Sequence, residues 1–475
     1  MFHETDENAV RFLKSFLTEE SPLNSVEEIL EWVKKLTAKS STEIQIVPLK
    51  KLRNWYFDDD YGYLHHKSGK FFSIESVRVH TNFSLRNSWD QPIINQPEIG
   101  YLGILAREFN GILHFLLQAK IEPGNINTVQ LSPTLQATRS NYTRIHKGKP
   151  PLYLDYFNGN KQTKVLIDQL QSEQGARFLQ KRNRNIIVEI GADNFKVHDN
   201  FIWVTLGQIK RLMCVDNLVN MNTRSVIASI PYGSYSTVDA MVNESFSLLS
   251  SMSREKLYSL FNKDYSYFSF NQIISWITHL KFKYELTVNK IPFKNIQDWE
   301  YDGERIYHKE KKYFSVVGVD AEIVGREVSH WDQPMICPSQ EGILGYIIKN
   351  INGVYHFLVQ AKVEVGNFDT LELAPTVQCL TGNYRAGLNE YMVPFLSEFF
   401  SVQERNIWHK SIQSEEGGRF FHEQNINLII EVDDRFAIDV PENYCWITLD
   451  QLLIFMKFNN YLNIGSRSLI SLISF

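Results

Sequence analysis

The chain carries the same sequence twice. Residues Trp89 to Tyr142 align with Trp331 to Tyr384 without a gap at an offset of 242 positions, and 26 of the 54 aligned pairs are identical. A repeat of this length is a duplicated domain rather than a stacked solenoid unit of 20 to 50 residues. The shared residues include more than core formers. Trp89-Asp90-Gln91-Pro92 recurs as Trp331-Asp332-Gln333-Pro334, His114 as His356, Gln118-Ala119-Lys120 as Gln360-Ala361-Lys362, and Asn141-Tyr142 as Asn383-Tyr384. Polar residues held through a duplication point to a binding site in the ancestral unit.

The repeat reaches beyond this stretch. Ser25 and Glu28 form a capping box ahead of the apolar stripe Val26, Ile29, Leu30, Val33 and Leu36, and Ile273, Ile274, Trp276, Ile277 and Leu280 repeat the stripe. Strands are expected at Phe71 to Ile74 and Tyr313 to Val316. A β-hairpin is expected over Leu102 to Lys120, turning at Asn110-Gly111, with a copy that turns at Asn352-Gly353. A long irregular segment follows, then a helix near Gln171-Ser172-Glu173 and near Gln413-Ser414-Glu415. Strands at Ile186 to Glu189 and Leu428 to Glu431 come next. Each half ends with Trp203-Val204-Thr205-Leu206 or Trp446-Ile447-Thr448-Leu449 leading into a helix. The class is therefore α+β, a mixed sheet flanked by helices in each half. The serine-rich stretch after Pro231 places the boundary at about residue 240, giving domains 1–240 and 241–475.

A net charge of −5 argues against a general nucleic-acid binder. The four cysteines, Cys214, Cys337, Cys379 and Cys445, form no CxxC pair, so neither a disulfide framework nor a zinc site is expected. Met1-Phe2-His3-Glu4-Thr5-Asp6 is acidic with no apolar core behind it, and no run reaches the roughly 18 apolar residues of a membrane span. The expectation is a cytoplasmic chain. His65-His66 is no metal pair, because strand neighbours point to opposite faces. There is no GxGxxG, P-loop, GxSxG or HExxH motif.

Alternation puts Gln118, Lys120 and Glu122 on one strand face, and Gln360, Lys362 and Glu364 on its copy. A solvated face gives no physical reason to keep those types, so this face is expected to meet a ligand. The copies also differ. Arg139, Arg144, Lys181, Arg182 and Arg184 correspond to Thr381, Ala386, Glu423, Gln424 and Ile426. Arginine forks suit phosphate oxygens. Those five cations either serve a phosphate-containing site kept in the first half, or form a basic surface against the other half or another subunit.

These residues resemble the NDP-hexose 2,3-dehydratases of deoxysugar biosynthesis. The resemblance lies in Trp89 to Ile94, Gln118 to Asn125, Leu131 to Tyr142, Gln171 to Gly175 and Arg182 to Asn185, and in Ala374 to Cys379 and Ser414 to Phe420 of the second half. It implies a tandem of Nudix-like domains, a homodimer, a nucleotide-sugar pocket in each half and one catalytic pocket. It implies a nucleotide-linked 4-keto-6-deoxyhexose as substrate and a downstream C3-ketoreductase to take the unstable product. On this reading Lys120 suits the enolate, and Tyr142, Glu122 and Glu173 are the proton-transfer candidates. Trp89, Gln91, Gln118, Gln136, Arg139, Asn141, Arg144, Arg182 and Arg184 are the substrate-binding candidates. A vestigial or secondary pocket would hold Trp331, Gln360, Lys362, Gln378, Asn383, Tyr384 and Arg419. A Nudix-type nucleotide-sugar hydrolase and a non-catalytic nucleotide-sugar-binding protein are the alternatives. The first needs a magnesium-binding glutamate cluster, which Ser172 to Arg177 does not supply. No metal or nicotinamide cofactor is expected. Turnover should therefore survive EDTA, and activity lost to EDTA and restored by a divalent ion would refute this.

Overall fold

A computed structural model describes residues 2–58, 62–83, 86–138, 150–191, 195–232, 265–324, 328–380 and 393–474, together with residues 256, 259 and 262. The expected boundary at residue 240 lies outside the described residues, as do Arg139, Asn141, Tyr142, Arg144, Asn383 and Tyr384.

Both copies of the first helix form as their caps dictate. Helix Val26–Lys39 starts at Ser25, whose hydroxyl accepts from the Glu28 N–H while the Glu28 carboxylate accepts from the Ser25 N–H, and it buries Val26, Ile29 and Val33. Helix Phe270–Lys283 repeats this with Ser269 and Gln272, burying Ile273, Ile277 and Leu280. Both late helices, Leu206–Leu212 and Leu449–Met456, begin with capping boxes at Thr205 and Thr448. The hairpins Gly100–Phe109 to Ile112–Ile121 and Gly342–Ile351 to Val354–Lys362 turn where expected. Asn110, Gly111, Asn352 and Gly353 all have positive φ, as a tight type I′ turn requires.

Two expectations fail. The stretches near Gln171 and Gln413 are not helical; they end the strands Lys164–Ser172 and Ile407–Ser414. Each strand finds an antiparallel partner in Arg182–Glu189 or Gln424–Val432. The Ser-Glu pair that resembles a helix cap instead opens a loop, closed where the Glu173 N–H donates to Lys181 O and the Glu415 N–H to Glu423 O, both at 2.9 Å. The segment expected to be irregular contains the strands Val129–Pro133 and Leu135–Ala137.

Among the described residues the strands form two seven-stranded and two five-stranded sheets. Each seven-stranded sheet is built within one repeat and is mixed. Strand Arg182–Glu189 runs parallel to Gly100–Phe109, and Gln424–Val432 parallel to Gly342–Ile351. Each five-stranded sheet is completed by the other repeat. Thr42–Val47 of the first repeat pairs antiparallel with Phe314–Ile323 of the second, and Leu286–Ile291 of the second pairs with Ser73–Thr81 of the first. The chain thus exchanges one strand in each direction.

The packing follows the exchange. One core joins Leu49, Trp55, Phe72, Ile94 and Phe178 to Phe293, Trp299, Phe314, Ile336 and Phe420. Trp55 Nε1 donates to Asp332 O at 2.9 Å, and Trp299 Nε1 to Asp90 O at 2.8 Å. Fully buried Arg224 donates to Ser414 O at 2.8 Å and Gln413 Oε1 at 3.0 Å, while Arg467 donates to Ser172 O. A buried guanidinium needs such acceptors, and here each arginine takes one carbonyl of its own repeat, Val219 O or Leu462 O, and others from the opposite repeat. Among the described residues no helix is long and apolar enough to cross a membrane.

Expressed separately, chains cut within residues 233–255 should each lack a sheet strand and half of the shared core. Neither half should give a cooperative melt alone, and co-expression should yield a complex with near full-length stability, as calorimetry would show. A first half that melts cooperatively as a monomer would contradict the exchange.

Candidate active site

The main cavity has a volume of about 810 Å³ and is lined by both repeats. Its floor is the hairpin strand, which brings Gln118, Lys120 and Glu122 to one face as alternation requires. Lys120 Nζ lies 3.1 Å from Glu122 Oε1. From strand Leu135–Ala137, which pairs with Gly100–Phe109, Gln136 Nε2 donates to Glu122 Oε1 at 3.2 Å and to Glu416 Oε1 at 3.0 Å. Glu416 belongs to the second repeat. Behind them, buried Glu173 accepts from Asn183 Nδ2 at 2.5 Å.

The second repeat reaches this cavity through a close approach of two backbones. The Gly124 N–H donates to Gly417 O at 2.7 Å, and a Cβ on Gly124 would lie 1.7 Å from Phe420 O. Only glycine fits there. Its counterpart Gly366 meets Phe178 O in the same way, at 1.6 Å. Each acidic loop is therefore threaded into the other repeat's site. Arg419 lies over the Phe72 ring at 4.1 Å and lines the first cavity. Arg177 lies over Phe314 at 4.3 Å, on the opposite side.

Electrostatics in the cavity are set by burial and by crowding of like charges. Burial raises the pKa of Glu173, and the Lys181 ammonium only partly offsets this. Burial also pulls Lys181 down to about 8, against the pull of Glu173. Glu416 is raised, first by burial and then by the neighbouring Glu122 carboxylate. Shifted acids and bases gathered in one cleft make it the candidate functional site.

The second repeat has a related but altered cluster. Lys362 Nζ donates to Gln378 O at 2.8 Å and stands 3.8 Å from Glu364 Oε1. Gln378 Nε2 donates to Glu364 Oε1 at 3.0 Å. The loop facing it comes from the first repeat and carries Gln174 where the other loop carries Glu416. Glu423 stands in the position of Lys181, with Arg177 as its charged neighbour.

The structure brings Lys120, Glu122, Glu173, Gln118 and Gln136 together around the main cavity. It also puts Trp331 and Arg419 there, although the repeat frame assigned them to the second pocket. The cause is the cross-over of the two halves. Trp89 and Gln91 are displaced for the same reason. Trp89 packs in a cluster with Val365, Leu286 and Val288 of the second repeat, and Gln91 Nε2 donates to Ala176 O at 3.0 Å. Arg184 does not offer a phosphate fork, because Asp168 already takes Nε at 2.7 Å and Nη2 at 2.6 Å. Arg182 lies over the Phe368 ring of the second repeat at 4.9 Å, the interface use left open by the sequence. Gln360 pairs through its backbone with Ala374 and Tyr444.

Sequence reasoning missed Glu416 and Asn222. Asn222 is 2 % exposed, lines the cavity, and its Oδ1 has no hydrogen-bond partner among the described residues. The signal was present for both, since the copies differ there: Glu416 aligns with Gln174, and Asn222 with Gly465.

Comparison with known proteins settles the family. The profile of NDP-hexose 2,3-dehydratases matches residues 26–230 and again 270–473. The chain belongs to this family. It is 40% identical to a dTDP-4-dehydro-6-deoxy-alpha-D-glucopyranose 2,3-dehydratase of Saccharopolyspora spinosa, over 98% of this chain and 94% of the relative. Enzymes of the same name from Amycolatopsis orientalis and Streptomyces violaceoruber are 38% and 39% identical, over 98% and 93% of this chain and 94% and 95% of the relatives. The two matched segments coincide with the two repeats.

Gly124→Ala should push the Glu416 loop out of the main cavity. Its turnover should fall at least about tenfold at temperatures where the protein remains folded, whereas Gly366→Ala, with a comparable loss of melting temperature, should retain more activity. Equal losses of turnover at equal stability would show that the loop's position is immaterial.

Proposed function

We propose that the protein is an NDP-4-keto-6-deoxyhexose 2,3-dehydratase that works at the main cavity. The observation that carries the reading is the meeting of Lys120, Glu122 and Glu416 in one cleft, in a chain of this family. At about 810 Å³ the cleft lies within the roughly 300–1,000 Å³ usual for ligand pockets. Lys39, Lys181 and Arg419 also line it, giving cations for a diphosphate.

The reaction needs no electron carrier. The C4 ketone acidifies the C3 hydrogen, a base takes that proton, and the C4 oxygen gains charge that a cation must hold. In this reading Lys120, which lines the cavity, supplies that cation. The resulting enolate expels the C2 hydroxyl, and the enol left between C2 and C3 tautomerises to a 3,4-diketo-2,6-dideoxy sugar. That product is reactive, which supports a C3-ketoreductase as the next enzyme and a cytoplasmic setting for both.

The finer architecture is read the same way. A mixed sheet with one parallel pair in each repeat supports a Nudix-like domain on either side of residue 240, and the family resemblance supports a homodimer. Of the two clusters, the one with Lys120 is taken as the working site, and the one with Lys362 as secondary.

Incubated with dTDP-4-keto-6-deoxyglucose, a C3-ketoreductase and its nicotinamide, the protein should give a 2-deoxy product by mass spectrometry. Unchanged substrate would refute the reading. Lys120→Ala should lower turnover by about 100-fold or more, as expected for loss of charge stabilisation at a developing oxyanion, while Lys362→Ala should keep most of it. The reverse pattern would move the working site to the other repeat.

A further inference from the structure

The loops that cross between repeats carry one string twice, Gln171-Ser172-Glu173-Gln174-Gly175 and Gln413-Ser414-Glu415-Glu416-Gly417. They differ by one charge. At the main cavity the Gln136 amide donates to Glu122 at 3.2 Å and to Glu416 at 3.0 Å, so a single NH₂ group holds two carboxyl groups side by side. At the other site the Gln174 loop packs on Glu364, since a Cβ on Gly175 would lie 3.0 Å from Glu364 Oε2. No second acid sits at position 174.

Two carboxyl groups this close do not both ionise freely. Lys120, 3.1 Å from Glu122, favours charge on Glu122. Burial and that charge keep the proton on Glu416, against the pull of Arg419, with Glu173 adding to the effect and Lys120 opposing it. Lys181, paired electrostatically with Glu173, and Glu98, which acts on both Lys181 and Arg419, are further ionisable neighbours. The pair is thus one base and one acid, adjacent and on the same wall. The reaction asks for this arrangement. In a 4-ketohexose of gluco configuration the C3 hydrogen and the C2 hydroxyl project from the same face of the ring.

We propose that Glu416, supplied by the second repeat, is the general acid that protonates the departing C2 hydroxyl, and that Glu122 is the base that removes the C3 proton. The assignment rests on the dehydratase reading. The C3–H bond breaks, its proton passes to Glu122, and its electrons form the C3–C4 double bond with charge on the C4 oxygen beside Lys120. That charge returns to regenerate the ketone, the C2–C3 double bond forms, and the C2–O bond breaks as Glu416 gives its proton, releasing water. The carboxyl groups have then exchanged states. Tautomerisation resets them: Glu122 returns its proton to C2, and Glu416 takes the proton of the C3 hydroxyl.

The test uses the full chain and dTDP-4-keto-6-deoxyglucose in D₂O. The wild type must first give the trapped 2-deoxy product; if it does not, the dehydratase reading fails and the assignment falls with it. With an active wild type, Glu416→Gln should lower kcat by about 100-fold or more while still gaining deuterium at C3, because the base remains. Glu122→Gln should lose both exchange and elimination. The wild-type kcat should fall on the alkaline side as Glu416 loses its proton, and Glu416→Gln should lack that limb. Thermal shift with dTDP reports folding of each variant, and Glu416→Asp, which keeps an acid, should recover part of the activity if the glutamine variant is unstable. Glu416→Gln turning over within about threefold of wild type, or Glu122→Gln exchanging C3 at the wild-type rate, would overturn the proposal.

Discussion

A strand with one neighbour leaves half of its peptide groups to water or to another chain. Both five-stranded sheets cover such an edge by pairing across the repeat boundary, Thr42–Val47 on Phe314–Ile323 and Leu286–Ile291 on Ser73–Thr81, each added strand becoming the end of its sheet. Much else follows from that exchange. It brings Trp55 and Trp299 under opposite repeats, where their indole N–H groups find the carbonyls of Asp332 and Asp90. It sets the acidic loops against Gly124 and Gly366. The main cavity is closed by residues distant in sequence: Gln136 and Glu416, joined by a hydrogen bond, are 280 positions apart.

Within this near-symmetric frame the chemistry is asymmetric. Both sites keep the Gln-x-Lys-x-Glu strand. One is completed by Glu416 and Lys181, the other by Gln174 and Glu423. The change from Glu416 to Gln174 and from Lys181 to Glu423 alters the local potential while leaving the fold almost untouched, because these side chains stand on loops held by the same backbone bonds. Across the interface the attraction of Glu173 to Lys181 is replaced by two acids, Glu415 and Glu423: burial raises both carboxyl groups, and the Glu423 charge raises Glu415 further.

Local features were legible in the sequence because their causes are local. Ser25 with Glu28, Thr205, and the Asn-Gly turns carry their geometry in a few residues. Partner choice was not legible. Thr42–Val47 alternates as any edge strand does, and periodicity does not say which of two equivalent neighbours it pairs with. Hence Trp331 and Arg419 were assigned to the repeat that encodes them, not the one they serve. The helices expected near Gln171 and Gln413 are strand ends instead, because a short polar stretch does not reveal the partner each strand finds in Arg182–Glu189 or Gln424–Val432. Lys120 and Glu122 stood out because the duplication kept them. Glu416 did not, because the other copy has Gln174 in its place.

The reciprocal strands and crossed arginines also describe a twofold homodimer of one repeat, with each protomer lending its loop to the other's site. In such a dimer a substitution in the loop changes both sites together, so no acid can be kept in one and dropped from the other. Joining two copies in a single polypeptide removes that restriction: the loop ending in Arg177 and the loop ending in Arg419 are free to vary separately while the shared core still requires both. Fusion thus lets one pocket specialise without loss of the scaffold that the other continues to provide.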